Sequence, residues 1–369
     1  MAILDQHRAD LAALARRGRR RSLIPRAGAD FASNDYLGLA GSGRLAESVA
    51  AALARGVPVG AGGSRLLRGN HPEHEALEAE AAVFFGCESA LFFSSGFAAN
   101  ATAFATLPRR GDLILYDELI HASAHEGMRA GKADRASAAH NDADAFADAI
   151  GSWRAGGGKG RVWIAVESLY SMDGDRAPLD ALAALADETD AFLLIDEAHA
   201  TGVFGPDGRG LAAPWQGRDN VITLSTCGKA LGCEGALLCG PAAITDYLVN
   251  RGRGFIFSTA PSPLMAAAVR AAIGIVRHEP ERRAALAALI DHAAAAGLPA
   301  TGSQIIPVII GDDKRTMEIA GAVQAAGFDV RGIRPPTVPI GTSRLRISLT
   351  LNAGADAVTG LSALLRDLL

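Results

Sequence analysis

Residues 191–199, Ala191-Phe192-Leu193-Leu194-Ile195-Asp196-Glu197-Ala198-His199, carry an apolar run straight into an acid, with a histidine three residues on. An apolar run this short, closed by polar residues, reads as a buried strand. Runs of the same kind occupy 113–116, 161–167, 221–226 and 235–239, and Ala-rich helical stretches such as 179–188 lie between them. Strand and helix in alternation argue for a parallel sheet covered by helices, its strands buried on both faces. In such open sheets ligands gather outside the carboxyl ends of the strands. The residues that follow each run are therefore where chemistry is expected.

The texture changes after about residue 258. A long helical stretch covers 261 to about 297, followed by strands near 305–310 and 344–349 and helices over 315–326 and 354–368. This predicts a smaller α+β part. Ahead of the sheet, the pattern predicts a helix over 4–21 that ends in an arginine-rich run, a turn-rich segment, a glycine-rich loop at 60–63 and a helix over 72–85. The expected division is an N-terminal helical segment over 1–35, an α/β domain over 36–258 and a C-terminal α+β domain over 259–369.

With 369 residues and 49% hydrophobic content, the chain can bury a large core. Charged residues make up 21% and the formal net charge is −4, which argues against a disordered or nucleic-acid-coating protein. No apolar run reaches the roughly 18 residues of a membrane span. Acidic and basic residues interrupt Met1–Arg8, so it does not read as a secretory signal, and a cytoplasmic protein is expected. The cysteines at 87, 227, 233 and 239 match no metal or redox spacing.

Three strand ends hold the candidate chemistry. Asp196 follows the run that ends at Ile195. It suits the partner of a protonated ring nitrogen, although a strand-end acid also caps helices. Asp196 and His199 resemble half a metal site, but no third ligand stands at a convincing spacing, and no metal is expected. The second strand end is Thr226-Cys227-Gly228-Lys229. The chain has 32 arginines and four lysines, and Lys132, Lys159 and Lys314 sit in glycine-rich or polar surroundings. Lys229 alone follows a strand into an apolar, glycine-flanked setting, where desolvation favours the neutral, nucleophilic amine. Arginine cannot take that role, because its guanidinium stays charged. At the third end, Ser94-Ser95-Gly96-Phe97 stands where a helix begins, and the backbone N–H groups there suit a phosphate. A nucleotide phosphate loop fails on spacing. Five residues before Gly158 stands Trp153, five before Gly228 stands Thr223, and Ala230 follows Lys229.

Together with Ser33-Asn34-Asp35-Tyr36-Leu37-Gly38-Leu39, Gly62-Gly63-Ser64-Arg65, Ser95-Gly96-Phe97-Ala98-Ala99-Asn100, His121-Ala122-Ser123 and Ser171-Met172-Asp173-Gly174-Asp175, these segments resemble the α-oxoamine synthases. These are pyridoxal 5′-phosphate (PLP) enzymes of the fold-type-I transferase class that condense an amino acid with an acyl thioester and release CO2. The likeness covers nearly the whole chain. It implies an α/β fold with a mostly parallel sheet flanked by helices and a smaller C-terminal α+β domain. Residues 334–346, Arg334-Pro335-Pro336-Thr337 through Arg344-Leu345-Arg346, are most similar to the branch that joins L-alanine to a pimeloyl thioester in biotin biosynthesis. Branches that use glycine, such as glycine C-acetyltransferase and 5-aminolevulinate synthase, are the alternative.

The resemblance also implies roles. Lys229 would hold PLP as a Schiff base and later move the α-proton. Asp196 would pair with the ring nitrogen, His199 with the phenolic oxygen, and His121 would stack on the ring. Gly96, Phe97 and Thr226 would hold the phosphate, with Ser171 close to the cofactor. Asn34 and Arg334 would take the amino-acid carboxylate, and Thr337 would lie on the substrate side. A substrate-side arginine falls within Arg19-Arg20-Arg21, with Arg19 favoured. Ser258-Thr259 would reach the phosphate of a second subunit, which implies a homodimer. The sequence departs from the family at 26–30, Arg26-Ala27-Gly28-Ala29-Asp30, where a small β-hairpin is often longer. The basic residues at 16–21 suit the negative charge of either carrier, CoA or acyl carrier protein.

Overall fold

A computed structural model describes residues 3–369. Its strands are β1 (Ala29–Asp30), β2 (Ser89–Phe93), β3 (Leu113–Asp117), β4 (Asp134–Ala138), β5 (Val162–Glu167), β6 (Phe192–Asp196), β7 (Val221–Thr226), β8 (Ala236–Gly240), β9 (Ile305–Gly311), β10 (Phe328–Asp329), β11 (Arg331–Ile333) and β12 (Ser343–Ser348). They belong to two compact units. The larger contains Leu37–Ser171 and Arg176–Arg283, and the smaller contains the chain up to Tyr36, Met172–Asp175 and Ala284–Leu369.

The larger unit is built on a seven-stranded sheet in the order β2-β8-β7-β6-β5-β3-β4. Strands β4, β3, β5, β6 and β7 run parallel. Strand β8 runs antiparallel to both neighbours, which departs from the regular alternation expected. Residues 227–235 are too few for a crossover helix, so the chain turns straight back beside β7. That turn carries Lys229.

The central strands pack on both faces. Ile114, Trp163, Ala165, Leu194 and Leu224 meet the face covered by the helices Gly96–Thr106 and Ala122–Ala130. Their neighbours Leu113, Leu115, Ile164, Leu193 and Ile195 meet the other face, with the helices Ala143–Ala155 and Leu179–Glu188. Burial of both faces explains why these strands read as apolar runs rather than as alternating ones. The strand Asp134–Ala138, polar and mostly solvent-facing at the sheet edge, lacked that signal.

In the smaller unit β9, β12 and β11 form an antiparallel sheet, with β12 in the middle. The 26–30 segment supplies β1, which pairs in parallel with β10. The Ser348 N–H then donates to the Phe31 carbonyl at 2.9 Å. These bonds tie the N-terminal segment to the C-terminal part in one compact unit. The expected boundary at 258/259 is displaced to 283/284. The helix Pro263–His278 stays with the larger unit because it buries Val269, Ile273 and Val276 and packs against the helices Gly43–Ala54 and Pro72–Phe85.

Two helix expectations change at their ends. The first helix, expected over 4–21, spans Asp5–Arg16, and the chain leaves it at Gly18, whose φ of 66° is left-handed. The stretch at 261–297 is two helices, Pro263–His278 and Pro280–Ala295, because Pro280 has no N–H to continue the first and is suited to start the second.

Candidate active site

The parallel strands aim their carboxyl ends at one rim of the larger unit. Asp196 ends β6 with 5% of its surface exposed. One carboxylate oxygen accepts from Asn100 Nδ2 at 2.6 Å and the other from the Ala198 N–H at 2.9 Å. Asn100 also donates to Ser123 Oγ at 3.0 Å. Asn100 thus bridges Asp196 to the segment that begins at His121. Sequence reasoning placed Asn100 in a motif but gave it no role.

Past β7, Lys229 Nζ lies 2.7 Å from Nε2 of the buried His199. The turn that presents it is tied by two bonds, from Gly232 N–H to the Lys229 carbonyl and from Cys233 N–H to the Cys227 carbonyl, both at 2.9 Å.

His121 caps the helix Ala122–Ala130, its Nδ1 accepting the Ser123 N–H at 3.2 Å. Desolvation holds this imidazole below the ordinary histidine range. The nearby Asp196 carboxylate pulls it up and the Lys229 cation pushes it down.

At the start of the helix Gly96–Thr106, Ser95 takes the Ala98 N–H on its hydroxyl and the Ala99 N–H on its carbonyl. The Gly96 and Phe97 N–H groups remain at the positive end of the helix dipole. A Cβ on Gly96 would meet Thr226 Oγ1 at 3.5 Å, so hydroxyl and helix start stand side by side. Ser171 donates its N–H to Glu167 at 3.2 Å. All eight residues expected to contact the cofactor therefore belong to the larger unit.

These groups fit PLP. A helix start and a hydroxyl suit a phosphate, a buried carboxylate suits a ring nitrogen, and a lysine amine beside an imidazole suits an aldehyde and its neighbouring oxygen.

The substrate-side candidates lie in the smaller unit, in two groups. In one, Arg19 Nε pairs with Asp313 at 2.7 Å, Arg21 Nη2 donates to Thr337 Oγ1 at 3.3 Å, and Arg334 donates to the Gly18 carbonyl. Burial and the neighbouring Arg21 cation lower the Arg334 pKa. The arginine that reaches Thr337 is thus Arg21, and Arg19 is engaged by an acid. In the other group, Asn34 Oδ1 accepts from Tyr36 at 3.0 Å and from Arg346 Nη2 at 3.1 Å. Asn34 and Arg334, expected at one carboxylate, fall in different groups, and the cation beside Asn34 is the buried Arg346. Residues 344 and 346 both point their guanidinium groups at polar partners within this unit, Arg344 at Asp173 and Arg346 at Ser348 Oγ.

Residues 27–357 match the family described as aminotransferase class I and II. The chain belongs to the aminotransferase class I and II family. Curated relatives include an 8-amino-7-oxononanoate synthase of Anaeromyxobacter dehalogenans, 41% identical over 99% of this chain and 96% of the relative. Another, of the same description, from Burkholderia thailandensis, is 42% identical over 95% of this chain and 93% of the relative. Among solved structures, a serine palmitoyltransferase of Sphingomonas wittichii superposes with a TM-score of 0.88 at 26% identity, covering 100% of this chain and 97% of that one. The 8-amino-7-oxononanoate synthase of Francisella tularensis superposes with a TM-score of 0.77 at 26% identity, covering 92% and 97%. The fold is that of the PLP-dependent transferases of type I, as the mostly parallel sheet implied.

Proposed function

We propose that this chain joins L-alanine to pimeloyl-CoA or pimeloyl-acyl carrier protein, yielding 8-amino-7-oxononanoate, CO2 and the free carrier thiol, with PLP as cofactor. The observation that carries this reading is the convergence of Lys229, His199 and Asp196 at adjacent strand ends, in a chain about 40% identical over most of its length to enzymes of that description. When bound, PLP supplies a cationic ring that accepts the electron pair released as bonds at the α-carbon of the amino acid break.

The protein supplies the rest. Lys229 would anchor the cofactor, and its free amine would take and return the α-proton at Nζ. Asp196 would face the ring nitrogen, oriented by Asn100 and the Ala198 N–H. His199 would offer Nε2 to the phenolic oxygen, and the neutral His121 ring would cover a ring face. Gly96, Phe97 and Thr226 fix the phosphate, and Ser171 borders the site. Asn34, Arg334 and Thr337, with Arg19 or Arg21, serve the substrates.

Exposed apolar surface supports a homodimer. Phe97 is 51% and Phe257 71% exposed, Arg253 lies over the Phe257 ring, and Ser258 and Thr259 follow directly. No helix of the described residues is long and apolar enough to cross a membrane. The same reading includes a cytoplasmic location.

The test is the Lys229→Ala variant. It should lose turnover, the visible absorbance of lysine-bound PLP and borohydride trapping at this residue. Retention of all three would overturn the assignment. A spectral response of the wild type to glycine rather than alanine would redirect it to a glycine-using branch.

A further inference from the structure

Glu167 and Asp196 end the adjacent parallel strands β5 and β6 and are register partners. The alternation that sends Trp163, Ala165 and Leu194 to the helix Gly96–Thr106 sends both acids to that same face. Their environments differ. Both oxygens of Asp196 accept hydrogen bonds, from Asn100 and the Ala198 N–H. Glu167 is 2% exposed. One of its oxygens accepts the Ser171 N–H, and the other, Oε1, is buried with no hydrogen-bond partner among the described residues.

A second anion beside Asp196, with one oxygen unsatisfied, would meet a desolvation cost that the surroundings do not offset. The groups that face Glu167 are Asp196 from β6, Asp117 from β3, Lys229 from the turn after β7, and Tyr170 and the Ser171 N–H from the segment after β5. His140, which bonds Asp117, balances that more distant acid. Lys229 is the cation among them, and it is hydrogen-bonded to His199.

We propose that Glu167 and Asp196 act as one carboxyl pair holding a single proton, carried by Glu167, which keeps the negative charge on Asp196 where the ring nitrogen needs it. Glu167 is a positioning residue, since it acts through Asp196. The inference rests on the PLP reading for its purpose but not for the proton itself. Burial and the Asp196 charge push the Glu167 carboxyl up to about 8, against the pull of Lys229 and the Ser171 N–H. Interacting carboxyls of this kind titrate as a unit, the first proton leaving from the better-stabilised anion.

The test is infrared difference spectroscopy of wild type against Glu167→Gln, with and without PLP. A protonated-carboxyl stretch should be present at neutral pH, vanish in Glu167→Gln and fade as pH passes about 8. In the loaded enzyme, the alkaline transition of the visible band should move to lower pH in the variant, because only the wild type gains an anion near Lys229 as pH rises. Carbon-13 glutamate resonances of the wild type read the same proton without a substitution, should the variant fail to fold. A Glu167 that titrates like an ordinary glutamate, or a band indifferent to Glu167→Gln, overturns the pair. In that case a normal lysine-bound spectrum would leave the PLP assignment intact. A missing visible band would sink the PLP assignment alone.

Discussion

Lys229 Nζ and His199 Nε2 lie 2.7 Å apart, brought together from the segments that follow β7 and β6. That distance is a hydrogen bond between the amine and the imidazole. With PLP held by Lys229, Nε2 would be available to the ring's phenolic oxygen. His199→Phe keeps an aromatic ring and removes both nitrogens. A hydrogen bond to a charged group contributes about 1.5–3 kcal/mol, so PLP affinity should weaken about tenfold or more. Equilibrium dialysis checks this, and an unchanged Kd would remove His199 from the site.

Asp196 and Asn100 form the second testable pair. Asp196→Asn puts a neutral amide where a carboxylate faces the ring nitrogen, and kcat/KM should fall about a hundredfold or more. Asn100→Ala keeps the charge but frees the oxygen that Asn100 holds at 2.6 Å. Its loss should be smaller, about tenfold. Steady-state kinetics on both variants decide the order. If Asn100→Ala proves as damaging as Asp196→Asn, the helix Gly96–Thr106 does more than orient the acid.

The contrast between Arg346 and Arg334 gives a third prediction. Arg346 is buried beside Asn34, whereas Arg334 is turned to the Gly18 carbonyl. A carboxylate held through Asn34 therefore meets Arg346 as its cation, and a guanidinium fork suits that anion. Arg346→Lys should raise KM for alanine about tenfold or more with little change in far-ultraviolet circular dichroism. Arg334→Lys should raise it less. The reverse order would restore Arg334 as the clamp.

These pairs also show what was legible in the sequence. Lys229, Asp196 and His199 could be found because each stands at the end of an apolar strand or within three residues of it, a local signal that needs no knowledge of pairing. Glu167 closes Val162-Trp163-Ile164-Ala165-Val166 in the same way and was open to the same reading, yet a glutamate at a strand end draws no attention until its register partner is known. The contact of Asn100 with Asp196 spans 96 positions and depends on how a helix lies over the sheet. The reversal of β8 depends on the length of 227–235 rather than on the strand's own composition. The placement of Arg346, rather than Arg334, beside Asn34 depends on pairing in the smaller sheet, which an apolar pattern does not specify.

Gly232 is where the lysine turn meets the rest of the larger unit. Its φ of 64° is left-handed, and a Cβ there would lie 2.4 Å from the Ala40 nitrogen and 2.7 Å from the Leu39 carbonyl carbon. Gly232→Ala should therefore lower stability by about 2 kcal/mol or more and loosen the turn that presents Lys229. Urea unfolding gives the first effect, and the rate of borohydride trapping at Lys229 gives the second. A fully stable variant with slowed trapping would mean that the backbone yields at the turn alone.

Asp117 sets part of the acid limit. Burial raises its pKa, but His140 and the Asn141 and Leu119 N–H groups outweigh burial and hold the carboxyl below its ordinary value of 3.8. A carboxyl depressed on folding contributes stability that is fully present well above 3.8 and is lost as pH falls through the lower folded value. Asp117→Asn removes that contribution and leaves an amide facing two N–H donors. The variant should be less stable than wild type at neutral pH, and the gap should narrow as pH drops below about 4. Urea midpoints measured across that range check both parts. A gap that stays constant with pH would mean that Asp117 acts through packing rather than through its charge.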